Sequence, residues 1–271
     1  MKKNLSYLIP IITVLFASCK TPRYVYSPSA QNVPVLTKKG DSKIGGVYST
    51  NFSGQENKNG YLINNHSRGF DLQGAAAITD HFAVQANYFY RWEKTSGGSD
   101  STTLLYNRNL TELGLGYFIP INIKKNMIFQ VFAGAGLGKF SFTDNDKTGA
   151  YYHQANITKI YIQPAVLYRT KGSFTTAVSL RASIINFSSI KTNYSTSQLH
   201  DYKLDSLNSR AKVFFEPAVT GSFGFKGLPA VRFEFQGGLS FLAARSFINY
   251  RIVNFSAGAW LDIGSLLLQR K

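Results

Sequence analysis

Cysteine occurs once in the chain, as Cys19, so no disulfide can form within it. Acidic residues are scarce, 14 against 30 Lys and Arg, which leaves a formal net charge of +16. The basic residues are scattered, with no basic helix or Lys/Arg cluster of the kind that nucleic-acid binding requires, so nucleic acid is not an expected partner. Histidine is equally thin. His66, His81, His153 and His200 share no metal-ligand spacing, and no Gly-x-Ser-x-Gly elbow occurs. No metal, cofactor or catalytic set is therefore expected, and the chain does not read as an enzyme. Long apolar runs are absent after the first 20 residues, which excludes a membrane-spanning helix in the rest of the chain. Helical periodicity is missing as well.

What the sequence has is aromatic residues, 14% of the chain, many glycines, and an apolar period of two from Lys43 onward. That period marks strands with two unlike faces. Phe82, Val84, Ala86, Tyr88, Tyr90 and Trp92 alternate with Ala83, Gln85, Asn87, Phe89, Arg91 and Glu93. Val231, Phe233, Phe235 and Leu239 alternate with Arg232, Glu234, Gln236 and Ser240. Ten such strands are predicted, over about 43–51, 69–78, 82–93, 105–118, 127–142, 156–169, 173–187, 211–225, 230–242 and 250–263. Short connections alternate with longer polar ones at 52–68, 94–104, 143–155, 188–210 and 243–249. An even strand count, with short turns at one end and long loops at the other, is the layout of outer-membrane barrels. The expected fold is all-β, a single antiparallel up-and-down transmembrane β-barrel of about ten strands.

Alternation alone does not say which face points outward. The apolar faces are nearly free of charge, and the polar faces are rich in Gly, Ala, Ser and Gln, which suit a narrow interior. Tyr88, Tyr90 and Trp92 near one end of the strands, with Tyr117 and Tyr168 near the other, fit two aromatic girdles. The polar set is therefore assigned to the lumen. Its charged members are Arg91, Glu93, Glu112, Lys159, Arg169, Arg181, Lys212, Glu216, Arg232 and Glu234, with Asp71 and Asp262 in the wider set. Buried charges without partners are costly, so these are expected to form a network. Gly134, Gly136 and Gly138 are read as small lumen-facing residues, not as a nucleotide loop, since no helix follows them.

At the N-terminus, Lys2 and Lys3 precede an apolar run from Leu5 to Phe16, the pattern of a secretory signal peptide. Phe16-Ala17-Ser18-Cys19 resembles the lipobox of bacterial lipoproteins, in which the cysteine is acylated and becomes the new N-terminus. Residues 1–18 are thus expected to be a signal, 19–42 a lipid-anchored periplasmic linker broken by Pro22, Pro28 and Pro34, and 43–271 the barrel. The signal, the Tyr24-Val25-Tyr26-Ser27-Pro28-Ser29 stretch and the strand Phe132-Ala133-Gly134-Ala135-Gly136-Leu137-Gly138 resemble small outer-membrane β-barrel proteins of Bacteroidota. The resemblance implies an outer-membrane location, contact with membrane lipid and lipopolysaccharide, and passage through the barrel-assembly machinery. It implies no single activity.

Two features depart from that pattern. The chain ends Leu268-Gln269-Arg270-Lys271 and not in an aromatic residue, and Pro164 and Pro217 fall inside strands, where paired bulges are expected. The working expectation is a structural or surface-interaction barrel with a polar, side-chain-filled lumen. A narrow pore, a soluble lipocalin-like lipid binder and a barrel-mouth hydrolase using His200-Asp201 are the alternatives.

Overall fold

The computed structural model describes residues 23–52, 66–96, 103–145, 149–170, 174–225, 227–243 and 248–263. The expected signal peptide and Cys19 lie outside them. The elements run β1 (Tyr24–Tyr26), β2 (Ser42–Phe52), β3 (Ser67–Ala77), β4 (Phe82–Ser96), β5 (Thr103–Pro120), β6 (Met127–Asn145), β7 (Ala150–Arg169), β8 (Phe174–Thr192), α1 (Thr196–Asp201), β9 (Lys212–Phe225), β10 (Leu228–Leu239), β11 (Phe241–Leu242), β12 (Asn249–Tyr250) and β13 (Val253–Asp262). Strands β2 to β10 pair antiparallel with their chain neighbours, and β13 pairs with both β10 and β2. The sheet thereby closes into a ten-stranded barrel with no free edge.

The period of two sorts the side chains as expected. Leu113, Leu115, Leu137, Ile160, Val178, Val219, Phe233, Phe235 and Phe255 are exposed on the outside. Gln73, Gln85, Glu112, Gln130, Lys159, Gln163, Arg181 and Gln236 are buried inside. Charge inside and hydrocarbon outside is the distribution of a barrel that faces lipid. The outward apolar stretch ends partway up. On β7 it runs from Tyr168 to Ile160 and gives way to Asn156, Gln154 and Tyr152; on β8 it runs from Phe174 to Ile184 and gives way to Asn186 and Ser188. These stretches match the about 9–11 residues that a tilted strand needs to cross hydrocarbon. Tyr90 packs at 5.7 Å on Phe70 and 5.8 Å on Trp92, beside the polar Asn107 and Asn109 of β5, so this aromatic group lies at the upper boundary.

Strands β6, β7 and β8 have 19, 20 and 19 residues, more than a crossing requires. Their upper halves stand as a wall above the apolar belt. The expected long connection at 143–155 is corrected accordingly: pairing continues to Asn145↔Ala150, which leaves only a short link. His153, expected in that loop, is a strand residue buried inside the wall and stacked on Phe142. The expected proline bulges are also absent. Pairing of β7 with β8 skips Gln163 and Pro164, then resumes at Ala165↔Ser179 in the register of Ile162↔Ala182. Pro217 pairs in register with Leu180. The register shift between β7 and β8 lies higher, between Gln154 and Asn156, opposite Ser189 with φ 50°.

Residues 23–36, expected as part of a linker outside the barrel, lie inside it. All are buried except the half-buried Ser29 and Val35. At residues 37–41 the chain reverses into β2. Asp41 accepts from the Thr37 and Lys38 amides, Gly40 donates to the carbonyl of Ala77, and Gly40 takes φ 88°, a conformation that glycine reaches without strain.

Candidate functional site

The lumen is filled in three levels. Near the short turns, Val33 and Leu36 pack with Ala77, Ala83, Phe118, Ile128, Leu167 and Ala177. Near the loops, Val25 and Tyr26 pack with Phe89, Tyr106, Phe140, Ile157, Phe187, Leu204, Leu207 and Phe214. Between them the N-terminal segment crosses a polar level whose side chains serve its backbone. Asp71 accepts from the Ala30 amide at 3.1 Å. Gln236 accepts from the Gln31 amide at 2.7 Å and donates to the Gln31 carbonyl at 2.9 Å. Gln163 donates to the Asn32 carbonyl at 2.8 Å, and Asn51 to the Pro28 carbonyl at 2.9 Å. Arg108 donates to the Tyr24 carbonyl. A backbone that makes few bonds within itself needs partners when buried, and the Asn, Gln and Asp side chains of the wall supply them.

The charged residues pair across the same space. Glu112 forms an ion pair with Lys159 at 3.0 Å and lies 3.6 Å from Arg181; Glu216 lies 4.0 Å from Lys159 and accepts from Tyr26 at 2.7 Å. Arg91 pairs with Asp71 at 2.8 Å and Lys43 with Glu234 at 2.8 Å. Glu93 takes Arg108 at 3.4 Å and Arg251. Arg181 also reaches Ser29 of the threaded segment at 3.0 Å. Gly114 and Gly134 make room for one member of this level, since a Cβ on either would come within 2.6 Å and 2.7 Å of the Tyr161 hydroxyl, which accepts from Gln85.

Of the ten residues assigned to a lumen network, Arg91, Glu93, Glu112, Lys159, Arg181, Glu216 and Glu234 meet oppositely charged partners there. Lys212 is buried near the loop end and donates to the Ser206 carbonyl at 3.0 Å. Arg232 is half-buried near the turn end and donates to Thr175 at 3.1 Å. Arg169 is corrected: it is exposed at the turn end, the last residue of β7 and past the point where the inward face is enclosed. Asp262 ends β13 at the same rim and is half-buried. The sequence assignment missed Arg23, Lys43, Arg108, Asp144 and Arg251. Arg108 shares the parity of Glu112 and was readable from it; Asp144 and Arg251 fall in stretches read as loop or strand end, and Arg23 in the linker.

No family model and no curated protein sequence matches this chain. Its fold resembles those of solved outer-membrane barrels. The outer membrane protease OmpT of Escherichia coli is 11% identical, with 86% of this chain and 100% of that one covered at a TM-score of 0.45. An outer membrane channel from Pseudomonas putida F1 is 10% identical, with 85% and 99% covered at 0.42. Ail, the attachment invasion locus protein of Yersinia pestis, is 13% identical, with 82% and 98% covered at 0.35.

The loop end is capped by residues 193–211. Ser195 and Gln198 form a capping box that starts α1, and Leu204 and Leu207 turn inward onto the aromatic cluster. Tyr194 stacks on Tyr151 at 5.2 Å and donates to Asp144 at 2.6 Å, which also pairs with Arg23. His200 bonds Asp205, not the adjacent Asp201, at 2.9 Å, and its ring is 81% exposed. That hydrogen bond holds the Asp205 carboxyl below its ordinary pKa. No three His, Cys, Asp or Glu side chains converge as a metal cluster among the described residues.

Proposed function

We propose that this chain is a lipid-anchored outer-membrane barrel, closed to solutes by its own N-terminal segment, with a structural or surface-interaction role exercised through its loop end. The observation that carries the reading is the filled lumen beneath a raised wall. Residues 23–36 occupy the interior from the loop end to the turn end, and the void beside Val25, Tyr26, Phe89, Arg108 and Lys159 measures about 10 Å³. Such a space holds one water at most. The buried path of residues 23–36 through the interior argues against a conducting pore, and equally against a lipid-binding cavity of the lipocalin type. The outward apolar belt argues against a soluble barrel. The His200–Asp205 pair is exposed on the loop surface, which argues against a barrel-mouth hydrolase.

The reading is tested by fractionation and conductance together. The protein should sediment with outer membranes and change mobility on a gel after boiling. Reconstituted in a planar bilayer, it should give a flat baseline. Steady ion-conducting steps would overturn the closed lumen, and recovery in the soluble fraction would overturn the membrane assignment.

A further inference from the structure

The direction in which the N-terminal segment runs has a consequence for what the barrel displays. Its upstream end is at the loop mouth. Arg23 pairs with Asp144, the residue before the end of β6, and its guanidinium lies 3.9 Å over the ring of Tyr202, just past α1. Tyr24 and Tyr26 pair with Asn249 and Tyr250 of β12, in the connection between β11 and β13 at the loop end. Its downstream end is at the opposite rim, where the Lys39 amide donates to Asp80 in the short turn between β3 and β4 at 2.8 Å. The chain therefore travels through the barrel from the loop mouth to the turn rim before it starts β2.

We propose that the polypeptide upstream of Arg23 leaves the barrel through the loop mouth, so that the mature N-terminus is displayed on the outer face with any lipid it carries. This rests on the membrane reading above. Three residues separate Arg23 from Cys19, and the four residue steps between them reach at most about 14 Å when extended. The hydrocarbon core is about 30 Å thick, so a lipid on Cys19 cannot reach the leaflet at the turn end. The N-terminus, with any lipid on it, is thereby held at the loop end. The expectation of a periplasmic anchor took the linker to lie outside the barrel, whereas the threaded path argues for the other side. The bonds of Tyr24, Gln31 and Asn32 to the wall fix the segment along its length, so it cannot slide back to the other rim without losing them.

The test places one epitope after Lys20 and, in a second chain, the same epitope after Asn208 in the exposed part of the 193–211 connection. Each is read with antibody on intact and on permeabilised cells, after boiling-dependent mobility has shown that the chain is assembled. Equal labelling of both on intact cells is the expected result. Labelling of the loop epitope on intact cells, with the N-terminal one appearing only after permeabilisation, would overturn the display and leave the barrel topology standing. If neither is labelled until permeabilisation, the loop end faces the periplasm, and the outward display falls with the topology. Should the epitope block assembly, Thr21→Cys read with a membrane-impermeant maleimide gives the same discrimination.

Discussion

Replacing Gln236 by leucine isolates the contact between wall and threaded segment. Gln236 is 3% exposed, and its amide makes three hydrogen bonds: with the Gln31 amide at 2.7 Å, the Gln31 carbonyl at 2.9 Å and Thr220 at 2.8 Å. Leucine has nearly the same volume, so packing changes little. The loss is polar: three bonds at about 1 kcal/mol each net, or more where the Gln31 backbone groups stay buried and unpaired. The Gln31 side chain keeps its bond to the Glu216 carbonyl, which holds the segment nearby and limits the damage. A destabilisation of roughly 3 kcal/mol follows. It is measured by urea unfolding in detergent, with the fluorescence of Trp92 and Trp260 checked against mobility on unboiled gels. On a wet outer surface the same substitution costs within about 0.5 kcal/mol. A value that small would refute both the inward face of Gln236 and the threaded segment as its partner.

On the outward face, Phe235→Arg should cost about 2–4 kcal/mol in the same assay, the penalty for arginine near the middle of the hydrocarbon. Glu112→Gln should cost about 3–5 kcal/mol because it leaves Lys159 and Arg181 buried beside a neutral group, and Glu112→Gln with Lys159→Met should recover part of that. Metabolic labelling with a fatty-acid analogue should mark the wild-type chain and spare Cys19→Ala; equal labelling of both would remove the lipid from the account.

The barrel wall was legible because a strand with one face in lipid and one in a narrow interior must alternate, and it does so in all ten strands. Parity alone put Glu112, Lys159 and Arg181 on the inner face, where they meet. The upper boundaries were not legible. Above the belt, β6 and β7 keep an apolar interior through Phe140, Phe142 and Ile157 while their outer faces turn polar, so the outward signal of a strand fades where the strand itself continues. The threaded segment was hidden for a different reason. Prolines and serines in 27–34 suggest irregular backbone in water, yet irregular backbone is also stable inside a lumen lined with amides and carboxylates. Pro28 and Pro34 lower the number of amides needing a partner there. The wall carried the hint: Gln73, Gln163, Gln236 and Asn51 are more hydrogen-bonding capacity than an empty or water-filled lumen requires, and each bonds the segment's backbone.

The central claim, that the chain's own N-terminal segment fills its barrel, is tested most directly by a disulfide between the segment and the strand it pairs with. Tyr26 and Tyr250 are register partners in the parallel pairing of β1 and β12, within the separation that a disulfide can bridge. The double variant Tyr26→Cys/Tyr250→Cys should form an intrachain disulfide in cells and resist maleimide until reduced. Val33→Cys with Tyr250→Cys, with Val33 near the opposite rim, should leave both thiols free. Free, maleimide-reactive thiols in the Tyr26/Tyr250 pair of an assembled barrel would contradict the threaded lumen.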